Sequence, residues 1–439
     1  MIGCSKFYIF FKQQNYVNSF IIQKKISIFA KNILMKILFL VYHGFEDYSG
    51  ISKKIHYQVK GLKENGHDVH LCYYDVSSDG HRCRYVDGQV IKDYGTGKWA
   101  AMHQRMDYQC VYDYCVREGI QLIYARSFMN ANPFLVRFFK KIRKVGIHAV
   151  TEIPTYPYDQ EFIGSGKKYR VELKIDQIFR KSLYKYMDAM VTFSDAKVIF
   201  GQRTINISNG VDFDSIPLHN FQLIPEQSSP TRSLSTLNSQ LHLIGVAEVH
   251  YWHGYDRVIA GIGEYYRKFR EESLECRNIF FHIVGGVHPA YMGGVPKSPG
   301  FQKIIDKYDI SDKIIFHGQL FGKELDDVFN QCQFAIGSLG RHRSGITVIK
   351  TLKNREYATR GIPFIYSEQD DDFDQQPYII KAPADETPID IQQIIDFLNN
   401  FSMQPEEIRK TVEHLQWNIQ MQKVVDAVFN PQSASSIVE

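Results

Sequence analysis

The sequence predicts an α/β protein made of two Rossmann-like, doubly wound domains. Short apolar runs that end abruptly in polar residues alternate with helical apolar stripes along nearly the whole chain. Such runs are typical of parallel strands buried on both faces. The alternation stops once, in a polar stretch, and then starts again. The 439 residues are enough for two to three domains of about 150 residues each.

The first half opens with an apolar run, Lys36 to Tyr42, which has the pattern of a central buried strand. After Ser49 and Gly50, apolar residues recur at spacings of four, four and three and predict a helix with one apolar stripe. A second strand follows and completes a βαβ unit. This second strand is predicted at 69–74. The pattern then predicts strands at 122–124, 148–152 and 189–193 and a helix at 133–145.

The second half follows a polar stretch from His219 to Gln240 that has neither helical nor strand periodicity. Its predicted strands lie at 241–246, 279–284, 314–316, 334–336 and 363–366, and its predicted helices at 255–270, 323–331 and 352–360. A helical tail from Ile389 to Val428 is expected to pack back across the first half.

These patterns divide the chain into five parts. We expect 1–34 to be a dispensable extension, because its five lysines, its lack of acids and its bias to Ile, Phe and Asn differ from the rest. The other parts are a first domain at 35–215, a connection at 216–240, a second domain at 241–388 and the helical tail at 389–439.

Composition excludes several classes of protein. From Met35 onward the chain has 47 basic and 48 acidic residues, which argues against nucleic acid as a partner. Seven scattered cysteines without a C-x-x-C pair indicate neither a disulfide framework nor a zinc site, and favour a reducing cytoplasm. No apolar run approaches the roughly 20 residues that span a bilayer.

Common cofactor motifs are weak or absent. No G-x-G-x-x-G follows a predicted strand, which removes the main support for a dinucleotide enzyme. Gly164-Ser-Gly-Lys167 resembles only part of a phosphate-binding loop. Asp370-Asp-Asp372 could hold a divalent cation, but a solvated acidic loop is the more common meaning of such a run. We therefore expect no cofactor and no metal.

The order of four motifs resembles the retaining GT-B glycosyltransferases of family four, and the resemblance covers nearly the whole chain from Met35. In sequence order the motifs are Met35–Val41 with Ser49-Gly50-Ile51, then Ile207–Asp212, Val246–Arg257 and Lys353–Pro363. In the last motif Glu356 stands five residues before Gly361 and seven before Pro363, as in the family's donor helix. The resemblance implies two domains that face a cleft.

The resemblance also implies an activity. It implies transfer of a sugar from a nucleotide-sugar donor to a glycan or lipid-linked acceptor, with retention of configuration, as in polysaccharide biosynthesis. An epimerase or hydrolase of the same fold is one alternative, and a degenerate, non-catalytic binding subunit is another. The expected location is cytoplasmic, at the inner face of the membrane with peripheral contact if the acceptor is lipid-linked.

On the donor side, a helix that begins near Thr351 offers unpaired N–H groups and a positive dipole end to a diphosphate. Lys353 and the basic residues Arg341 and Arg343 are the expected phosphate partners, and Glu356 is the expected ribose partner by resemblance. The alternative is that Lys353 and Glu356 form an i, i+3 surface pair. The resemblance also places Gly210 on this side.

The chain departs from the family pattern at three places. Val348 stands where the family has a glutamate eight residues before Glu356, and Glu248 and His253 stand where it has a diphosphate-binding arginine and lysine. His253 could donate to phosphate, or it could pack in a turn beside Trp252. These departures favour the non-catalytic alternative or a changed donor.

On the acceptor side, the segment Thr151 to Glu161 leaves a strand with two prolines, two tyrosines and three carboxylates. Such a loop at a strand's carboxyl end suits sugar hydroxyls and ring faces. Glu152 and then Asp159 are the candidate catalytic residues, with loop packing as the alternative. Further candidates on the acceptor side are Arg126, Ser49 and Gly50.

Overall fold

A computed structural model describes residues 34–46, 49–126, 129–159, 166–220, 240–272, 276–287, 289–295 and 298–430. The predicted extension, apart from Leu34, and most of the predicted connection lie outside these residues. So do the last part of the acidic loop and Gly164 of the weak phosphate-loop motif.

The first domain is built on one sheet whose central strands are parallel. Its strands are β1 (Lys36–Leu40), β2 (Asp68–Val76), β3 (Arg82–Val86), β4 (Gln89–Asp93), β5 (Leu122–Arg126), β6 (His148–Ile153), β7 (Ala189–Thr192), β8 (Val198–Ile199) and β9 (Gln202–Asn206). Their order is β4-β3-β2-β1-β5-β6-β7-β9-β8, with antiparallel pairing only at the two edges. The order reverses between β1 and β5, so a crevice opens at the carboxyl ends of these strands.

Helices cover both faces of this sheet. The five helices are α1 (Gly50–Glu64), α2 (Gly97–Met106), α3 (Gln109–Glu118), α4 (Pro133–Lys144) and α5 (Lys167–Tyr184). Buried side chains of α3, α4 and α5 share one core with the sheet. On the opposite face, α1 packs Ile55, Val59 and Leu62 of its predicted stripe against β1 and its neighbours. Ile51, the first residue of that stripe, is exposed.

The second domain has a six-stranded parallel sheet. Its strands are β10 (Gln240–Val246), β11 (Asn278–Val284), β14 (Ile314–Gly318), β15 (Phe334–Ile336), β16 (Phe364–Tyr366) and β17 (Ile379–Lys381), in the order β14-β11-β10-β15-β16-β17. The order reverses between β10 and β15, which is the doubly wound arrangement. The short strands β12 (Gly294–Val295) and β13 (Ser298–Pro299) form a separate ribbon.

The helices of the second domain are α6 (Tyr255–Glu271), α7 (Pro289–Gly293), α8 (Phe301–Tyr308), α9 (Gly322–Phe329) and α10 (Leu352–Arg360). The side chains of α6 and α8 pack on one face of the sheet. The side chains of α9 and α10 pack on the other. The predicted helix at 352–360 and the two doubly wound halves are confirmed.

The C-terminal tail divides between the domains. The helix α11 (Ile391–Asn400) packs on the α6 side of the second domain, and α12 (Pro405–Thr411) packs near α10. Only α13 (Trp417–Phe429) crosses back, where Trp417 and Met421 join the core beneath α1. Among the described residues, no helix is long and apolar enough to cross a membrane.

Several elements of the first domain were not predicted. The β3–β4 hairpin and the helices α2, α3 and α5 lie between elements that the periodicity identified. In α5 the apolar residues do not form one buried stripe, since Val171 and Ile178 are exposed while Leu183 and Tyr184 are buried. A helix that exposes apolar residues lacks the amphipathic signal on which prediction depends.

Candidate functional site

The start of α10 lies at the crevice of the second domain. Thr351 is the N-cap residue, and Gly361, in the left-handed region at φ 78°, ends the helix. The segments that follow β10, β15 and β16 meet there, because parallel strands end at the same edge of a sheet. The first turn of α10 therefore presents unpaired backbone N–H groups and a positive dipole end to this edge.

Around that first turn, several buried polar atoms have no hydrogen-bond partner in the described part of the chain. They are Ser338 Oγ, Thr351 Oγ1, Lys353 Nζ, both amide atoms of Asn354 and both carboxylate oxygens of Glu368. We call these five residues the Lys353–Glu368 cluster. Because more than about 90% of buried polar groups in native proteins are paired, such a concentration indicates a place that a polar ligand fills.

Two opposite charges lie in this cluster without a direct bond. Burial and the positive charge of Arg341 lower the pKa of Lys353 to about 7, against the attraction of Glu368. Burial raises the pKa of Glu368 to about 7, although its own backbone N–H and the charges of Arg341 and Lys353 oppose the rise. Both groups thus titrate near neutral pH, which indicates that neither charge is adequately solvated without a ligand.

Two predicted donor-side residues, Arg341 and His253, lie near the Lys353–Glu368 cluster. The Arg341 guanidinium lies 5.5 Å from the centre of the Trp252 ring. The Nδ1 atom of His253 accepts a hydrogen bond of 2.9 Å from the backbone N–H of His250, so Nε2 carries the proton of the neutral ring. Burial, with Lys353 and Arg341 nearby, lowers the pKa of His253 well below its usual value. His253 is therefore a neutral N–H donor.

Arg343 is held away from the cluster. Its guanidinium makes a bidentate pair with Asp256, at 2.9 and 2.7 Å, and also bonds Glu386 and the carbonyl of Tyr251. A guanidinium engaged by two carboxylates has little capacity left for a diphosphate. Its position indicates that it anchors the 341–344 turn to α6.

Glu356 pairs with Arg360, which lies one turn further along α10. Its Oε1 accepts hydrogen bonds of 3.0 and 2.9 Å from Arg360, which also bonds Asp326. It does not pair with Lys353, so the i, i+3 alternative is wrong. Only one carboxylate oxygen of Glu356 is used in these bonds, and the side chain is 28% exposed.

Gly210 lies at the crossing between the domains. A Cβ atom there would lie 2.4 Å from the Trp417 ring, so only glycine fits. The neighbouring Ser208 and Asn209 bond to the second domain through Arg355, at 2.9 Å from Ser208 Oγ and 3.3 Å from the carbonyl of Asn209. These contacts indicate that the turn joins the domains.

The three carboxylates of the acidic run at 370–372 form ion pairs with basic side chains. The fully buried Arg355 pairs with Asp370 and Asp372, and Lys350 lies 2.6 Å from Asp371. The three carboxylates lie close enough together to share a metal ion. The cations already beside them supply the positive charge that a metal would bring.

Glu152 lies inside the first domain at the end of β6 and is fully buried. Its Oε2 accepts hydrogen bonds of 2.6 Å from Tyr124 and from Gln58. Its Oε1 lies 3.0 Å from Lys54 Nζ and 3.3 Å from Arg126 Nε. We call these five residues the Glu152 cluster.

The charges of the Glu152 cluster balance one another. Burial acts to raise the pKa of Glu152, but Lys54 and Arg126 outweigh it and lower the pKa to about 2. Lys54 also lies 3.8 Å from the centre of the Phe193 ring, and burial lowers its pKa to about 8. In this arrangement Glu152 is fully buried and in contact with Arg126.

A cavity of about 620 Å³ opens beside the Glu152 cluster. Arg126 and Ser49 line it, together with residues that follow β1 and β6, such as Tyr42 and Thr155. Ser49 also caps α1 by accepting a bond of 3.4 Å from the N–H of Ser52. Gly50 is the first residue of α1, and a side chain there would meet open space. The cavity thus collects two of the predicted acceptor-side residues.

Asp159 lies apart from Glu152 and pairs with α5. Arg180 donates to both of its oxygens, at 2.7 and 2.9 Å. These bonds lower the pKa of Asp159. The pair fixes the base of the predicted acceptor-side segment Thr151 to Glu161, whose last two residues lie outside the described part of the chain.

Sequence reasoning missed Glu368, Asn354 and Arg355. Glu368 follows β16 by two residues, and a carboxylate at the carboxyl end of a predicted strand was the signal that could have identified it. Asn354 and Arg355 lie within the predicted donor helix, but their burial depends on how α10 packs against the strands.

No protein-family model matches the sequence, and no curated protein is similar to it in sequence. Solved structures are similar in fold. Sucrose-phosphate synthase from Thermosynechococcus elongatus is 12% identical, with 92% of this chain and 98% of that chain covered and a TM-score of 0.51. Trehalose-6-phosphate synthase OtsA is 10% identical, with 90% and 99% covered and a TM-score of 0.53. These similarities confirm the GT-B fold that the motifs predicted.

Proposed function

We propose that this chain is a glycosyltransferase that moves a sugar from a nucleotide-sugar donor to a glycan or lipid-linked acceptor, with retention of configuration. The observation that carries the proposal is the Lys353–Glu368 cluster at the start of α10. The GT-B fold and its glycosyltransferase neighbours support the reaction class.

The cluster has the donor and acceptor groups that a nucleotide-sugar needs. The N–H groups of the first turn of α10, the Lys353 ammonium and the neutral His253 N–H can stabilise the diphosphate as it leaves. The amide of Asn354 and the carboxylate of Glu368 can bond hydroxyl groups of the sugar or ribose. Glu356 keeps one oxygen for the same purpose.

Glu368 offers a replacement for the carboxylate missing at Val348. Val348 pairs with Gln369 in an isolated parallel bridge, and the N–H of Gln369 bonds the carbonyl of Thr347 at 2.7 Å. Glu368 is therefore the sequence neighbour of Gln369, which pairs with Val348. We infer that the acidic partner of the donor comes from the end of β16.

The acceptor is expected in the 620 Å³ cavity of the first domain. Arg126 lines this cavity and is held by Glu152, at 3.3 Å. Glu152 thus acts through Arg126, as a positioning residue. Asp159 acts through the loop that it anchors to Arg180.

A second candidate is a GT-B binding subunit without turnover. The observation that favours it is that basic side chains engage both predicted catalytic carboxylates, Lys54 at Glu152 and Arg180 at Asp159. Such a protein would bind a nucleoside diphosphate but would not release it from a sugar donor in the presence of any acceptor.

Calorimetric titration with uridine, guanosine and adenosine diphosphates tests the donor site. We expect one of them to bind, and Lys353→Ala to weaken it by about ten- to a hundredfold, because a charge-assisted bond is worth about 1.5–3 kcal/mol. Lys303→Ala, an exposed lysine of α8, is the control.

The nucleoside serves as the internal comparison. Lys353→Ala should weaken the diphosphate more than the nucleoside, whereas Glu356→Gln should weaken both, because its expected partner is the ribose. Wild-type affinity for the diphosphate in both variants, with folding confirmed by circular dichroism, would reject the donor site. Release of diphosphate from the matching sugar donor, measured with and without EDTA, then separates an enzyme from a binding subunit.

A further inference from the structure

A second cavity, of about 660 Å³, lies on the face of the first sheet that α4 and α5 cover. The walls come from α2, the start of α4 and the first half of α5, and they are mainly apolar. Three methionines, Met102, Met106 and Met129, line it beside aromatic rings such as Tyr108, Phe134 and Phe179. Flexible methionines beside aromatic rings suit an apolar guest of variable shape.

This apolar cavity adjoins the proposed acceptor cavity. Tyr42 and Asn130 line both of them. One wall of the acceptor cavity has polar and charged groups, such as Arg126 and Asp75. A molecule with a polar head and an apolar tail could therefore place its head near the cleft and its tail among the methionines.

Exposed apolar side chains lie on the same helices as the wall of the apolar cavity. On α2, Trp99 is 74% exposed and stands one turn before Met102 of the cavity wall. On α5, Ile178 is 65% and Val171 59% exposed, and both stand one turn from Ile175 of the wall. Residues at these spacings share a helix face. We call the exposed side of α2 and α5 the α2–α5 face.

The same side of the domain carries a strong excess of positive charge. The helix α5 has six basic and two acidic residues, and α4 has five basic residues and no acidic one. The helix α2 adds Lys98 and Arg105, again with no acid, while α3 has two acidic residues and one basic residue. Arg105 pairs with Glu172 and Arg180 with Asp159, and the remaining balance is still positive. The whole chain has nearly equal numbers of basic and acidic residues. The concentration is therefore local, and it suits an anionic surface.

We propose that the α2–α5 face docks on an anionic lipid bilayer and that the cavity behind it takes the hydrocarbon chain of a lipid acceptor. An exposed tryptophan, aliphatic side chains and surrounding lysines are the combination that binds the bilayer interface. Nucleic acid would use the same positive charge but would gain nothing from Val171 and Ile178. The acceptor role rests on the proposed function, whereas the docking does not.

Co-sedimentation of the full chain with vesicles tests the docking. We expect binding to vesicles of phosphatidylglycerol and phosphatidylcholine, about tenfold weaker binding to phosphatidylcholine alone, and loss of binding in high salt. The emission of Trp99 should shift to the blue and be quenched by brominated lipid. The Trp99→Phe variant should lose most of that signal, because Trp417 is buried and Trp252 lies beside Arg341 in the second domain.

Matched variants separate this face from the rest of the surface. Val171→Ser should weaken vesicle binding severalfold, and Val198→Ser, which alters an equally exposed valine on β8, should not. Lys174→Glu should weaken binding more than Lys303→Glu. Equal effects within each pair, emission of Trp99 that is already blue-shifted without vesicles, or tighter binding to RNA than to vesicles would overturn the proposal.

The cavity is tested with alkyl phosphates of increasing chain length. Dodecyl phosphate should bind at least tenfold more tightly than butyl phosphate, since each buried methylene is worth about 0.8 kcal/mol. Ile175→Glu, at the cavity mouth, should remove the dependence on length, and Val198→Glu should leave it. A dependence unaltered by Ile175→Glu would overturn the cavity assignment. Nucleoside diphosphate titration of the same variants shows separately whether the donor site is intact.

Discussion

The Glu152 cluster and the Lys353–Glu368 cluster contain the same kinds of charged group. The charges are in direct contact in the first cluster and apart in the second. Each has a buried glutamate, a buried lysine and a nearby arginine. Around Glu152 the charges lie in direct contact, and its pKa falls to about 2. Around Glu368 the carboxylate oxygens have no partner among the described residues, and its pKa rises to about 7.

The difference shows how a structural ion cluster can be told from a ligand site. Burial alone is common to both clusters, so burial does not distinguish them. Tyr124 and Gln58 bond Oε2 of Glu152. Oε1 accepts no hydrogen bond among the described residues but lies in ion-pair contact with Lys54 and Arg126, whereas no described cation contacts the carboxylate of Glu368. A buried charge left without partners costs free energy, and a protein retains it where a ligand supplies the missing bonds.

The largest effect is expected when the closed cluster is opened. Among the described residues, Glu152 is the only carboxylate in contact with Lys54 and Arg126, so Glu152→Gln leaves both cations without a counter-charge. We expect a loss of about 3–5 kcal/mol in the free energy of unfolding, measured by urea denaturation. A loss below about 1 kcal/mol would show that the cluster is solvated.

A matched pair of lysine substitutions compares the clusters directly. Lys54→Met should destabilise the protein by about 2–4 kcal/mol, because it leaves Glu152 with one cation. Lys353→Met should raise stability by about 1 kcal/mol, since it removes an ammonium that has no hydrogen-bond partner among the described residues. Equal destabilisation in both variants would contradict the distinction between the clusters.

The two clusters should also respond differently to pH. Lys353 and Glu368 both have pKa values of about 7, so above pH 7 the site loses positive charge and gains negative charge. Affinity for a nucleoside diphosphate should then fall with rising pH, by at most about tenfold per unit for each proton taken up. Glu152, with a pKa of about 2, keeps its charge throughout this range.

Calorimetry in buffers of different ionisation enthalpy measures this coupling. Proton uptake on binding at pH 8 is the expected result, and in Lys353→Met it should fall to the share that Glu368 takes up. A constant affinity from pH 6.5 to 8.5 would show that Lys353 and Glu368 do not change charge in this range.

The smallest effect is expected from Glu368→Gln. The substitution keeps the shape of a side chain that is 2% exposed and removes a charge without hydrogen-bond partners. Thermal unfolding should change by no more than about 0.5 kcal/mol, in contrast to Glu152→Gln. Affinity for the sugar donor should fall severalfold, while affinity for the diphosphate alone should not. A stability loss as large as that of Glu152→Gln would place Glu368 in a structural network.

Several parts of the site could be predicted because they depend on local sequence. The bounds of α10 follow from Thr351 before the helix and Gly361 after it, which are short-range signals. The strand before Glu152 was predicted from its apolar run. The partners of Arg343 and Glu152 could not be predicted, because Asp256 and Lys54 are distant in sequence and meet them only in the folded chain.

The sequence by itself determined the two doubly wound halves and the helix that begins after Thr351. Periodicity and capping act over a few residues, so they can be read without coordinates. Only the tertiary structure decided which buried charges are paired. Lys54 and Lys353 both lie in the first two turns of a helix that follows a strand, and what separates them is a carboxylate 3.0 Å from Lys54 Nζ. Such contacts depend on how distant segments pack, because Coulomb energy depends on separation in space and not along the chain.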